Sequence, residues 1–305
     1  MNKIIKLLFL LLIPAGLSAQ LNPVTDQYVL NPLCINPAYA GNRGALNLAA
    51  FYRRQWVGIT GAPVTTSLIM DAPLLDSKLG VGLIIVNDKI GVTKETRINT
   101  VYAYRIRMKE GNLAFGLGAG IITTNTIWSD LTTNDPGDEN FLISSRMLMV
   151  PDFNFGVYYS SRKYFAGFSI PRLIGTSFDF NRNRYTLKID PGQYNFLLNT
   201  GYLFTISPDL SLLPSTLLSY SPGGKLLYDV NAHLVIDNRI WIGASYQNSR
   251  SVACLLQVAV NNRIRVAYTY EFDLGNLGRF SNGSHELMVR YEFHYKVNVV
   301  NPLIF

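Results

Sequence analysis

Three histidines, two cysteines, an acidic turn and a basic-aromatic cluster are the side chains here whose types could carry chemistry. His233 and His294 fall on the polar parity of alternating segments, so both are expected to face the inside of a sheet; His285 stands apart. A histidine on a barrel wall beside a serine would make a hydrolase. That needs nucleophile, base and orienter at hydrogen-bond distance, and no G-x-S-x-G nucleophile motif occurs. A polar network in the interior is the favoured reading, and no catalytic residue is assigned. Asp135-Pro136-Gly137-Asp138-Glu139 lacks the alternating oxygen ligands of a cation loop and reads as a solvated turn. Cys254 shares its parity with Val252, Leu256, Val258 and Val260, an apolar side. A disulfide with Cys34 is open in an oxidising compartment, but two separate thiols are favoured. Leu33 before Cys34 excludes a lipoprotein attachment site. No Cys/His spacing suits a metal, and no cofactor is expected.

Arg53-Arg54-Gln55-Trp56 has two readings of equal weight. It is either a basic, aromatic contact surface at a rim, or an interface girdle with two charges at headgroup level. Gly80 and Gly82, and Gly116, Gly118 and Gly120, are followed by no helix pattern, so they are not phosphate loops. They read as small inward positions that let a plug or a neighbouring wall approach.

The elements that would position these residues are strands. Residues 1–19 read as a cleaved signal peptide: Lys3 and Lys6, an apolar run from Leu7 to Ile13, then Pro14, Gly16 and Ser18-Ala19. The run is too short for a membrane-spanning helix, which needs roughly 20 apolar residues. Charged residues are 15% of the chain, where about 25% is typical of soluble proteins. Tyrosine (18) and phenylalanine (16) are abundant, and no later apolar run is long enough for a spanning helix. The formal charge is +7, but the basic residues are scattered singly, which excludes a nucleic-acid surface.

From Ala45 onward, period-2 segments alternate with turns. Leu287, Val289, Tyr291, Phe293 and Tyr295 stand on one parity of the last segment, against Glu286, Met288, Arg290, Glu292 and His294. Similar alternation runs through Leu113–Ala119, Leu226–Ile236 and Arg263–Glu271. Short connections (Pro73–Lys78, Lys109–Asn112, Ser160–Lys163, Ser207–Asp209, Asp237–Arg239, Asn261–Arg263) interleave with longer ones. The longer ones are Asn87–Thr96, Thr126–Pro151, Pro171–Gln193, Ser221–Lys225 and Asp273–Ser284, with Asn248–Ser251 short for its place. This predicts an all-β fold: a transmembrane antiparallel β-barrel of about 14 strands, both termini periplasmic. Tyr52, Trp56, Tyr104, Trp128, Trp241 and Tyr246 are expected at the two interfaces. The domains read as leader 1–19, an N-terminal plug or lead-in 20–44, and a barrel 45–305 with a short C-terminal tail.

The lead-in carries two Asn-Pro pairs, Asn31-Pro32 and Asn36-Pro37, which bar any unbroken helix or strand. Leu30, Leu33, Ile35 and Tyr39 are too apolar to hang free in water, so the block is expected in the lumen.

Gln27, Tyr28, Asn31 and Pro32; then Asn36-Pro37-Ala38-Tyr39-Ala40-Gly41; then Tyr52, Arg53, Gln55 and Trp56; then Gly61-Ala62-Pro63 follow one another in fixed order. This pattern resembles the PorP/SprF family of outer-membrane proteins of Bacteroidota. The resemblance implies an outer-membrane barrel of type IX secretion and gliding motility without catalysis. It implies as partners a secreted surface protein or its C-terminal domain, periplasmic secretion components and outer-membrane lipids. Those motif residues are the candidate plug or partner contacts. The alternative is an outer-membrane channel or hydrophobic-substrate transporter.

Overall fold

The computed structural model describes residues 25–75, 77–127, 147–179, 184–222, 224 and 226–293. The alternating segments become strands β1 (Leu46–Arg54), β2 (Val64–Leu74), β3 (Leu79–Ile90), β4 (Thr93–Arg107), β5 (Gly111–Thr126), β6 (Leu148–Ser161) and β7 (Tyr164–Ile170). A separate hairpin follows, β8 (Gly175–Asp179) with β9 (Arg184–Lys188). The wall resumes with β10 (Phe196–Tyr202), β11 (Phe204–Ser207), β12 (Leu210–Tyr220), β13 (Leu227–Ile236), β14 (Ile240–Gln247), β15 (Ser251–Ala259), β16 (Ile264–Asp273) and β17 (Ser284–Phe293).

Each wall strand pairs antiparallel with its neighbours, and β1 closes the sheet on β17, from Leu46↔Phe293 to Arg54↔His285. Strands β10 and β11 both pair with β12 and form one crossing interrupted at Leu203. Among the described residues the barrel therefore has fourteen crossings, as expected. Closure pairs the strand N–H and C=O groups within the sheet, which hydrocarbon demands. No helix among the described residues is long and apolar enough to cross a membrane. The pairing of Leu46 with Phe293 puts both ends of the wall on the rim of the short turns, the periplasmic rim in this class of barrel.

Parity decides which side chains meet lipid. In β17, Leu287, Val289, Tyr291 and Phe293 are exposed on the outside, while Glu286, Met288, Arg290 and Glu292 are buried within. Tyr52, Tyr104 and Tyr246 lie outside as expected, and so does Cys254, a free thiol like Cys34.

Three expectations need correction. Trp241 is no girdle residue. It points inward, 1% exposed, beside His233 at 6.2 Å between ring centres and in one cluster with Leu213 and Val235. The lumen on that side is thus packed apolar. The segment Asn87–Thr96 is no loose loop, since β3 and β4 pair continuously from Leu79↔Tyr104 to Ile90↔Thr93 and turn at Gly91. The period-2 pattern fades there because the hairpin rises beyond the lipid, where neither face need be apolar. Pro171–Gln193 holds the hairpin of β8 and β9. Trp128, the acidic turn at Asp135–Glu139 and His294 lie outside the described residues.

Candidate functional site

Residues 25–44 occupy the lumen. They descend from the level of Arg53, near the outer end of β1, to the level of Gly80 at the periplasmic start of β3. Leu30, Leu33, Ile35, Ala38, Tyr39 and Ala40 are each at most 5% exposed. Burying a large aliphatic side chain stabilises by about 1.5–3 kcal/mol, so this packing drives docking.

The upper anchor is electrostatic. Arg53 Nη1 donates to Asp26 of the plug and, at 2.9 Å, to Glu286 of β17, while Nη2 donates to Glu271 of β16 at 2.5 Å. Glu286 also accepts from Thr25 and from the Asp26 N–H, and Gln247 donates to Asp26 at 3.0 Å. Arg53 therefore does not sit at headgroup level, as one reading of its motif had it, nor on a rim surface. Parity turns it inward and Arg54 outward. A guanidinium suits this place because its planar fork serves several carboxylates at once.

Below this hub, Gln27 Nε2 donates to the Glu286 carbonyl at 3.1 Å, and the Tyr28 hydroxyl accepts from Asn231 at 2.6 Å. The Leu30 carbonyl accepts from Arg290 at 2.9 Å and from Arg43, and both arginines pair with Glu292.

The two Asn-Pro pairs each open a one-turn 3-10 helix, at Pro32–Cys34 and Pro37–Tyr39. Asn36 caps its turn by accepting from the Ala38 N–H at 3.0 Å, and its Nδ2 donates to the Val157 carbonyl (3.0 Å) and the Phe168 carbonyl (3.2 Å). The amide can lie flat on β6 and β7 because Gly156 and Gly167 face it; a Cβ on Gly156 would stand 2.0 Å from Asn36 Oδ1. Asn31 differs. Its amide is fully buried and makes no hydrogen bond among the described residues.

The rest of the Asn-Pro-Ala-Tyr-Ala-Gly block follows the same logic. A Cβ on Gly116 would come within 2.1 Å of the Ala38 nitrogen, and one on Gly80 within 1.9 Å of the Ala40 carbonyl, so wall and plug meet backbone to backbone. Tyr39 packs edge-on against Tyr158, centroids 5.3 Å apart. Gly41 has φ +69, a left-handed conformation that favours glycine, and its N–H donates to Asp71 at 2.8 Å. Arg105 donates to the Ala40 carbonyl at 2.9 Å. Gly118 and Gly120 serve the other anticipated purpose: they face the wall side chains Asn154 and Asn99 rather than the plug.

The second half of the motif goes elsewhere. Tyr52 faces lipid. Gln55, Trp56, Gly61, Ala62 and Pro63 form the outer β1–β2 loop, closed by Gln55 N–H to the Pro63 carbonyl at 3.0 Å. That loop is tied to its neighbours through Trp56 N–H to Ser284 Oγ (3.3 Å), Val57 N–H to the Gly283 carbonyl (2.8 Å) and Gly91 N–H to the Gly61 carbonyl (2.8 Å). Of this second half, only Arg53 hydrogen-bonds to the plug among the described residues.

The model of the type IX secretion system membrane protein family PorP/SprF matches residues 17–291. The chain belongs to this family. No curated protein matches it. Among solved structures, this PorP/SprF barrel is similar to the CymD monoaromatic hydrocarbon channel, with a TM-score of 0.50 and 12% identity over 92% of this chain and 96% of that one. The TodX deltaS2S3 mutant monoaromatic hydrocarbon channel follows at TM-score 0.48 and 10% identity, covering 90% and 95%. The Acinetobacter baumannii outer membrane protein Omp33 stands at TM-score 0.47 and 7% identity, covering 83% and 100%. At such identities the likeness concerns the fold, that of outer-membrane barrels.

Family and fold are those of a secretion barrel rather than an enzyme class. In this PorP/SprF chain His233 is buried beside Trp241, and His285 accepts or donates at Nδ1 with the Tyr268 hydroxyl at 2.6 Å. Among the described residues no three His, Cys, Asp or Glu side chains are grouped to hold a metal ion.

Proposed function

We propose that this barrel is a non-catalytic component of type IX secretion. It binds a large exported surface protein at its outer mouth, anchoring it or aiding its export, and contacts periplasmic machinery at its other end. The observation that carries this reading is the plug. A lumen occupied by residues 25–44, gripped at both ends, serves better as a binding platform than as a conduit. A hydrophobic-substrate channel, the competing reading, needs a continuous path past that segment.

The periplasmic rim supports a contact on that side. Lys109, Arg162, Lys163, Arg239 and Arg263 are exposed on its short turns, with only Glu110, Asp209 and Asp237 as exposed carboxylates among the described turn residues. Far apart in sequence except for the Arg162-Lys163 pair, these cations are gathered by the topology onto one rim, a field that attracts an acidic partner.

Two measurements test the proposal. Planar-bilayer recordings of the purified full chain should show no stable open pore, and a secreted adhesin should co-purify through its C-terminal domain. A steady, solute-selective conductance would overturn the anchor reading.

A further inference from the structure

The plug does not fill the lumen evenly. Between its Leu33–Pro37 stretch and the outer halves of β1–β4 lies a cavity, part of it open to solvent. Ile84 and Val86 line it from inward parity, yet both remain half-exposed. Aliphatic surface left wet inside a lumen forgoes the stabilisation that its burial would give.

The charge here is also unbalanced. Asp88 and Glu95 stand directly opposite each other on β3 and β4, both facing inward. Like charges directly across a strand pair are destabilising. Six carboxylates surround the cavity: these two, Glu286 on its lining, and Asp26, Glu271 and Asp152 in ion-pair contact with its arginines. Among the described residues Arg53, Arg97 and Arg172 answer them, three cations to six carboxylates, a formal charge of −3 over these nine groups.

We propose that this outer cavity receives a short cationic, aliphatic peptide segment of the exported partner. An aliphatic side chain covers Ile84 and Val86, and a lysine or arginine two residues on reaches Asp88 and Glu95. Alternate residues of an extended chain point the same way, as do Ile84, Val86 and Asp88 on the wall. Lipid phosphates and fatty-acid carboxylates carry the cavity's own sign and are disfavoured. This inference rests on the reading of the barrel as a cargo anchor.

The test uses the full chain in detergent with Cys34→Ser, Cys254→Ala and Val86→Cys, and the probe acetyl-Leu-Lys-Leu-Lys-amide. At about ten times its dissociation constant the peptide should slow maleimide labelling of Val86→Cys about tenfold. The Leu-Glu counterpart should give no protection, and Asp88→Asn with Glu95→Gln should remove it. Equal protection by both peptides, or none by either, overturns the proposal. So does a thiol that resists labelling with no peptide present, which would mean an occupant from this chain itself. Calorimetry with the same peptides on the unsubstituted barrel gives an independent reading if Val86→Cys misfolds. If the adhesin co-purifies equally well with Asp88→Asn/Glu95→Gln, the anchor function stands and this site falls. If it fails to co-purify with the native barrel, the function itself falls.

Discussion

Asn36→Ala is the perturbation that best separates a docked plug from a loosely held one. Asn36, itself buried, makes three hydrogen bonds: the cap to Ala38 and two part-buried donations to the wall carbonyls of Val157 and Phe168. Loss of a cap costs about 1 kcal/mol, and each of the other two bonds is worth about 1 kcal/mol net. Undocking of the plug should therefore become easier by about 3 kcal/mol, which at 1.4 kcal/mol per tenfold is a factor of about 100. Hydrogen exchange followed by mass spectrometry reads this opening locally. The slowest amides of residues 27–42 should exchange about 100-fold faster, while those of β13–β15, remote from Asn36, stay unchanged. Asn31→Ala is the internal control. Its amide makes no hydrogen bond among the described residues, so its removal should be near neutral. Equal effects of the two substitutions, or less than about a threefold change for Asn36→Ala, would refute the reasoning. Unchanged protection with loss of partner binding would instead make the block a docking surface.

Gly116→Ala should destabilise far more than Gly118→Ala in thermal unfolding, because the new Cβ meets plug backbone at Gly116 but the movable end of Asn154 at Gly118; equal melting shifts would contradict this. Arg53→Met strands three buried carboxylates and should cost about 3–5 kcal/mol, and Arg53→Lys should recover only part of it. Full recovery in urea unfolding would argue against the forked geometry. Burial pushes the Cys34 thiol up, with the Glu286 charge adding to it, so the folded plug holds that proton more tightly than the unfolded chain does. The stabilisation is whole below about pH 8.5 and is lost as pH rises above that ordinary thiol value. Plug protection, corrected for intrinsic exchange, should fall above that pH in the native chain but not in Cys34→Ala; a flat native profile would be the contrary result.

The barrel was legible because its two faces meet different solvents. Leu287 against Glu286 and Tyr268 against Thr269 record that difference residue by residue. Legibility failed where the solvent boundary vanished: at the β3–β4 hairpin above the lipid, and at Trp241, where the lumen is packed and an inward position can be aromatic. The plug's bends could be read from Asn-Pro alone, but its anchors could not. Asp71, Arg105, Glu286 and Arg290 sit tens to hundreds of residues from what they hold, and only closure brings them together. Gly156 and Gly167 looked like any strand glycines; their purpose depends on Asn36 lying over them.

The two ends of the plug are gripped by different chemistry, and this bears on how a partner could act on it. At the periplasmic end, Ala38 and Ala40 are wedged against glycine backbone, and Arg105 and Asp71 bond the plug main chain at Ala40 and Gly41. At the outer end, Asp26 is held through Arg53, which lines the proposed peptide site together with another of its partners, Glu286. A cation entering there competes with Arg53 for Glu286, while the lower half keeps its own partners, Asp71, Arg105 and the glycine wall. Binding of the lysine peptide should then speed amide exchange in residues 26–28 and leave residues 38–42 as protected as before. Loosening spread evenly along the plug would mean that it moves as one rigid body, and that Arg53 is not the element a partner displaces.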